Sequence, residues 1–160
     1  MTDQENLLAV LEKIAHTFNA AEIHWAVGAS MLLYFHGITD VFHDIDLMMD
    51  TKDTAESETL LKELGAVKMP IPASDIFKNQ YFAKWKLDGA CIDVMAGMII
   101  VYHGKEENCF FNEEDINGSA RLGKEIIPLY SLQKWRYFYD LMGRDVKVRM
   151  IDDANSMIHD

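Results

Sequence analysis

Two aspartates one residue apart, Asp44 and Asp46, lie within the apolar run of Ile45, Leu47, Met48 and Met49. Alternate side chains of a strand share a face, so both carboxylates stand together while Ile45 and Leu47 point the other way. Ionised carboxylates on so apolar a strand are costly unless a cation or hydrogen bonds compensate them. Upstream, Gly28-Ala29-Ser30 forms a turn of small residues whose backbone N–H groups can cradle phosphate. Each feature alone is commonplace, since acidic pairs mostly sit on solvated surface and Gly-small-Ser turns are mostly structural. Together they point to phosphoryl or nucleotidyl transfer. Asp93, between Ile92 and Val94, adds a third strand carboxylate. By itself it reads as a hydrogen-bonded structural residue. Beside Asp44 and Asp46 it completes a set of hard oxygen ligands for Mg²⁺, with Mn²⁺ as an alternative.

The elements that must position these residues follow from periodicity and capping. Thr2 and Glu5 form a capping box, and Leu7, Leu11, Ile14 and Phe18 recur at helical spacing. Strands are predicted over 22–27 and 44–50, with a short helix over 30–36 between them that Gly37 closes. Asp53 and Glu56 are expected to cap the next helix, with Leu60, Leu61 and Leu64 inward and Gly65 at its end. A strand over 66–69 precedes a loop marked by Pro70 and Pro72. Residues 80–87 alternate, with Tyr81, Ala83, Trp85 and Leu87 on one face. Asp88-Gly89 is a hairpin signal that leads to a partner strand over 90–95 carrying Asp93. Residues 101–124 read as irregular structure with short strands, and 125–129 as a final strand. A helix capped by Ser131 runs to Met142, and the last helix covers 146–158. The order predicts an α+β fold, a mixed sheet flanked by helices with a C-terminal helical segment over about 131–158.

The whole chain sets outer limits. Its 160 residues, 49% of them hydrophobic, suit a single globular domain over 1–160 with its core over about 22–100. No apolar run approaches the ~20 residues that span a bilayer, and the polar, acidic N-terminus lacks a signal peptide's basic start, so a cytoplasmic protein is expected, with no membrane partner. Cys91 and Cys109 are too few for a disulfide framework, and Cys91 reads as a small core residue. The six histidines show no zinc-ligand spacing. A net charge of −11 disfavours a nucleic-acid partner, since phosphate neutralisation supplies most of that affinity. The same charge attracts a small cationic acceptor, or merely keeps the protein soluble.

With these residues in place the chain resembles the DNA polymerase beta-like nucleotidyltransferase superfamily. The likeness rests on Gly28-Ala29-Ser30, His43-Asp44-Ile45-Asp46-Leu47, and Asp93 on a hairpin strand. Ile127-Pro128-Leu129, Ser131-Leu132 and Leu141-Met142-Gly143-Arg144 look like the helical end of small lincosamide and aminoglycoside nucleotidyltransferase-like proteins. The resemblance spans residues 22–150 and is sharpest over the turn and the Asp-x-Asp strand. It implies that Gly28 and Ser30 bind nucleotide phosphates, that Asp44 and Asp46 hold metal, and that Asp93 completes a metal site and orients or deprotonates an acceptor hydroxyl. It further implies an NTP co-substrate, ATP favoured, and a small hydroxylated acceptor such as an antibiotic. Many relatives place Arg or Lys just before Asp-x-Asp, where residues 39–43 of this chain offer only His43. Arg144 and Lys147 are the candidates to meet phosphate instead. Two other functions stay open: a nucleotidyltransferase-like toxin–antitoxin component, or a non-catalytic nucleotide-binding interaction protein. A homo-oligomer is compatible with either.

Overall fold

The computed structural model describes residues 2–159. The elements are α1 (Asp3–Ala20), β1 (Trp25–Val27), α2 (Ala29–Phe35), β2 (Ile45–Met49), α3 (Thr54–Glu63), β3 (Val67–Met69), β4 (Tyr81–Leu87) and β5 (Ala90–Ala96). They continue through β6 (Met98–Tyr102), β7 (Lys105–Cys109), β8 (Ile116–Leu122), β9 (Glu125–Tyr130), α4 (Leu132–Leu141) and α5 (Asp145–His159). Seven strands form one mixed sheet in the order β3-β4-β5-β2-β1-β9-β8, and β6 and β7 form a separate ribbon. The α+β architecture with a mixed sheet and C-terminal helices is the one expected from the sequence. No helix among the described residues is long and apolar enough to cross a membrane.

Side-chain alternation divides the sheet into two faces with different tasks. On β2, Ile45, Leu47 and Met49 are buried towards α1, and their partners on β5 include Ile92, Val94 and Ala96. Trp25 joins the same layer, its ring edge-on to Phe18 of α1 at 5.7 Å and its Nε1–H donated to Asn19 Oδ1 at 3.0 Å. Helix α3 covers the β4 end of this face, where the Tyr81 hydroxyl donates to Glu58 Oε2 at 2.6 Å. The opposite face carries Asp46 and Met48, and α4 lies over it with the Trp135 Nε1–H directed at Met48 Sδ, 3.3 Å away. One face is therefore sealed as hydrophobic core, and the other keeps its carboxylates beside a cavity.

Several boundaries differ from expectation for identifiable reasons. The stretch expected to be irregular with short strands, 101–124, is more regular than that: β7 follows β6 through a tight His103-Gly104 turn, and β8 pairs with β9. Strands β7 and β8 expose most of their residues, so no apolar alternation betrays them, and backbone pairing alone holds them extended. Asp53 stands at the N-cap position of α3, as expected, but its side chain makes no capping hydrogen bond. Its Oδ2 instead accepts from the backbone N–H of His24 at 2.9 Å and lies 2.9 Å from His24 Nδ1, tying the start of α3 to β1. Cys91 is half-buried on the carboxylate face rather than in the core.

The first strand starts late because α1 ends in a wound-back turn. The Ile23 N–H donates to Phe18 O at 3.0 Å and the Glu22 N–H to Asn19 O at 3.1 Å, the Schellman pattern. Glu22 takes φ 58° there, whereas glycines at 37, 65 and 143 occupy the matching place after α2, α3 and α4. The side chain of Glu22 is exposed, so its Cβ brings only the backbone cost. Glu22→Gly is expected to raise unfolding stability by about 0.5–1 kcal/mol, read as an increase in denaturation midpoint with an unchanged m-value.

Candidate active site

The site is built by register. β2 and β5 run parallel with Asp46 opposite Asp93, and β4 pairs with β5 so that Lys84 is opposite Asp93. Strands about 4.8 Å apart therefore present Lys84, Asp93 and Asp46 as a row on one face. Asp44 stands in the bend immediately before β2. Lys84 Nζ is 3.0 Å from Asp93 Oδ1, an ion-pair distance outside hydrogen-bond geometry, and that buried oxygen has no hydrogen-bond partner among the described residues.

Burial and the neighbouring acids perturb Asp46 and Asp93. Asp46 is pushed up to about 8, first by burial and then by the negative charges of Asp93 and Asp44, with Lys84 and Arg144 opposing. Burial also raises Asp93, against the pull of Lys84 and with a further push from Asp44. Lys84 is raised in turn, chiefly by its contact with Asp93. Carboxylates driven towards the neutral form by burial and by one another are a stored demand for positive charge.

The turn from β1 into α2 supplies the facing wall. The Gly28 N–H is already committed, donating to Asp46 O at 3.0 Å. A Cβ at Gly28 would stand 2.5 Å from Trp135 Cζ2, so this glycine lets α4 approach the strand end. Ala29 takes φ 55°, a left-handed conformation costing an L-residue roughly 1–2 kcal/mol, a form of strain often kept at functional turns. Ser30 Oγ accepts from Lys147 Nζ at 3.1 Å.

These residues open onto a cavity of about 670 Å³, within the usual range for small-molecule sites. Ala29, Ser30, Asp44, Asp46, Asp93 and Arg144 all line it, with Lys84 and Lys78. The Gly143 turn returns the Arg144 N–H to Tyr139 O at 2.8 Å and sets its guanidinium over the Tyr139 ring, 5.8 Å from the centroid. Burial and the Arg144 charge lower Lys147, with Asp46 pulling the other way. His43, immediately before Asp44, lies instead in a small separate recess with Asp3, Asn6 and Gly89. Lys84 was missed by the sequence reading. Its place is nevertheless calculable, because a two-residue Asp88-Gly89 turn pairs Leu87 with Ala90 and so Lys84 with Asp93.

Among the described residues no three His, Cys, Asp or Glu side chains converge closely enough to be a ready-made metal cluster. The donor set nonetheless fits a hard divalent cation. Mg²⁺ is commonly held by one or two carboxylates with substrate phosphates completing the shell. Asp46 and Asp93 are such a pair, and Asp93 Oδ1, beside Lys84 but in no hydrogen bond among the described residues, keeps a lone pair for a metal.

Two stability effects follow from this geometry. Gly28→Ala is expected to cost about 1–3 kcal/mol by displacing the Trp135 indole, seen as a lower unfolding midpoint with perturbed tryptophan fluorescence. For Asp46, the folded-state value lies above the unfolded value of 3.8. Its contribution to stability is therefore fully present below about pH 4 and is lost as pH rises towards 8. Asp46→Asn removes that loss, so in chelator the variant is expected to be more stable than the parent by on the order of 1–3 kcal/mol at pH 8, with the difference shrinking at pH 5. An equal or larger gain at pH 5 contradicts the electrostatic account.

Comparison with known proteins agrees with the resemblance carried by the turn and the aspartates. A family model described as aminoglycoside-2''-adenylyltransferase matches residues 10–157. No curated protein gives a sequence match. Among solved structures, a Thermotoga maritima protein classed as a nucleotidyltransferase superposes with TM-score 0.74 at 20% identity, covering 98% of this chain and 96% of its own. ANT(2'')-Ia in complex with adenylyl-2''-tobramycin gives 0.56 at 12% identity, covering 94% and 98%. The lincosamide antibiotic adenylyltransferase LnuA, lincomycin-bound, gives 0.62 at 12% identity, covering 90% and 95%. At such identities the structural likeness carries the fold, and it is the family match along almost the entire chain that assigns this protein to the aminoglycoside-2''-adenylyltransferase family of nucleotidyltransferases.

Proposed function

We propose that this protein transfers a nucleoside monophosphate from a nucleoside triphosphate to a hydroxyl of a small acceptor, with Mg²⁺, or Mn²⁺ in its place, held by Asp44, Asp46 and Asp93. The observation that carries this reading is the row of Lys84, Asp93 and Asp46 on the wall of a cavity that Ser30 and Arg144 also line. ATP is the favoured donor, a choice supported by the adenylyl-2''-tobramycin bound to ANT(2'')-Ia and by the adenylyltransferase name of LnuA. Their tobramycin and lincomycin ligands likewise support an acceptor of antibiotic size.

In the transfer the acceptor oxygen forms a bond to the α-phosphorus as the bond from that phosphorus to the pyrophosphate oxygen breaks. The acceptor proton passes to a carboxylate, a task suited to Asp93 because its position is fixed by the strand and by Lys84. Bound divalent cations supply charge neutralisation at the entering and leaving oxygens. Arg144 reaches the cavity directly, and Lys147 anchors Ser30 through its hydroxyl. Since the Gly28 N–H is spent on Asp46 O, Ala29 and Ser30 are left to offer backbone N–H groups to phosphate, while Gly28 serves the turn by its small size.

Asp44→Asn and Asp46→Asn are each expected to lower transfer on the order of 10²-fold or more. Labelled ATP, Mg²⁺ and a panel of aminoglycosides, lincosamides and uncharged glycosides make the assay, and undiminished transfer by either variant contradicts the assignment. Arg144→Ala is expected to raise the KM for ATP with little change in the thermal midpoint, because among the described residues its guanidinium lies over the Tyr139 ring without a salt bridge.

A further inference from the structure

We propose that Lys84 makes metal binding wait on the nucleotide: its ammonium offsets the Asp93 carboxylate while no triphosphate is present, so a divalent cation is held firmly only together with one. The proposal rests on the nucleotidyl-transfer reading above and deepens it, giving Lys84 a part in the order of binding as a positioning residue that acts through Asp93.

The sheet gives this lysine one acid to face. Across to β3 its partner is Met69, and along β4 its neighbours on the same face are Phe82 and Lys86. Across to β5 its partner is Asp93, with Asp46 next in the row. Asp93 is the one carboxylate within ion-pair distance of Lys84 among the described residues, 3.0 Å from Nζ to Oδ1. The two side chains are only 28% and 14% exposed, so their charges are screened less than those of a surface pair. The ammonium also reaches Asp46, where it opposes the push of the neighbouring acids. A divalent cation that takes Asp93 must share that carboxylate with the ammonium and is repelled by it.

The fold has no need of this pair. The Asp88-Gly89 turn sets Lys84 opposite Asp93, and the apolar layer of Ile45, Leu47, Ile92 and Val94 sets Asp93 opposite Asp46. The contact is also releasable, because Asp93 Oδ1 has no hydrogen-bond partner among the described residues and a lysine ammonium moves on a flexible stem. A triphosphate in the cavity that Lys84 lines supplies what the carboxylates lack. Its oxygens complete the shell of Mg²⁺, an ion that dehydrates reluctantly, and its charge gives the ammonium a second anion to face. Metal and nucleotide thereby favour each other's binding.

Binding of Mn²⁺ without nucleotide, read at 0.15 M salt from the electron paramagnetic resonance signal of the free ion, tests this. Lys84→Met is expected to bind Mn²⁺ at least about tenfold more tightly than the parent. Lys84→Arg, which keeps the charge, and Lys78→Met, which removes a cavity lysine with no ion-pair partner among the described residues, are expected to stay within about twofold of the parent. Adding Asp93→Asn to Lys84→Met is expected to abolish the gain. Mg²⁺ is likewise expected to raise the thermal midpoint of Lys84→Met more than that of the parent. Mn²⁺ binding unmoved or weakened by Lys84→Met, an equal gain from Lys78→Met, or a gain that survives Asp93→Asn overturns the proposal. A Lys84→Met chain that stays unfolded even in Mg²⁺ overturns it too, since the pair would then serve the fold. Failure of a non-hydrolysable ATP analogue to bind the parent in Mn²⁺ tells against the nucleotidyl-transfer reading, a separate outcome.

Discussion

Asp46 and Asp93 face one another across parallel strands because the opposite sides of those strands are occupied by Ile45, Leu47, Ile92 and Val94, all fully buried. A shift of one residue would turn the apolar side chains out and the carboxylates into the core, so the hydrophobic layer under α1 enforces the register. The core thereby holds together two acids that repel, and the energy of burial maintains the repulsion. Asp46 registers the strain directly, pushed up to about 8 by burial and by its acidic neighbours. Much else about the site can be understood as a response to that constraint: Lys84 facing Asp93, and Arg144 brought in by a helix terminus.

The second constraint is the close fit of α4 against the β1–α2 turn. Trp135 lies where a Cβ of residue 28 would be, so the turn and the helix fix each other. That contact couples the C-terminal helices to the strand bearing Asp46, whose carbonyl receives the Gly28 N–H. Beyond α4, the Gly143 turn sends Arg144 to the cavity and begins α5, from which Lys147 reaches Ser30. Residues more than a hundred positions apart in sequence are thus joined by one helix packing against one glycine.

Much of this was legible in the chain, and the parts that were not share a cause. The Asp44/Asp46 alternation, the Asp88-Gly89 turn and the Gly28-Ala29-Ser30 turn have short-range signatures, because strand pleat and turn sterics act over a few residues. Arg144 and Lys147, the residues expected to meet phosphate, lie on the cavity and against Ser30 respectively. Strands β7 and β8 left no trace because they bury little, and pairing rather than patterning makes them extended. The role given to Asp53 failed for a related reason: a capping box competes with any distant donor, and the backbone N–H and ring of His24 won. Sequence spacing cannot show which long-range partner a carboxylate will find.

The absence of a basic residue just before Asp44 illustrates how a fold can meet one requirement by another route. His43 is directed into a separate recess and contributes nothing to the cavity. Positive charge comes instead from the neighbouring hairpin, where Lys84 is set by turn length, and from the end of α4, where Arg144 is set by the Gly143 turn. Charges placed by register and by helix termination are more rigid than one carried on a loop preceding a strand. They also remain in the cavity whatever the ligand, yet they offset the aspartates only in part, since Asp46 is still pushed up to about 8 with Lys84 and Arg144 beside it. The rest of the positive charge the site demands has to come from what binds there.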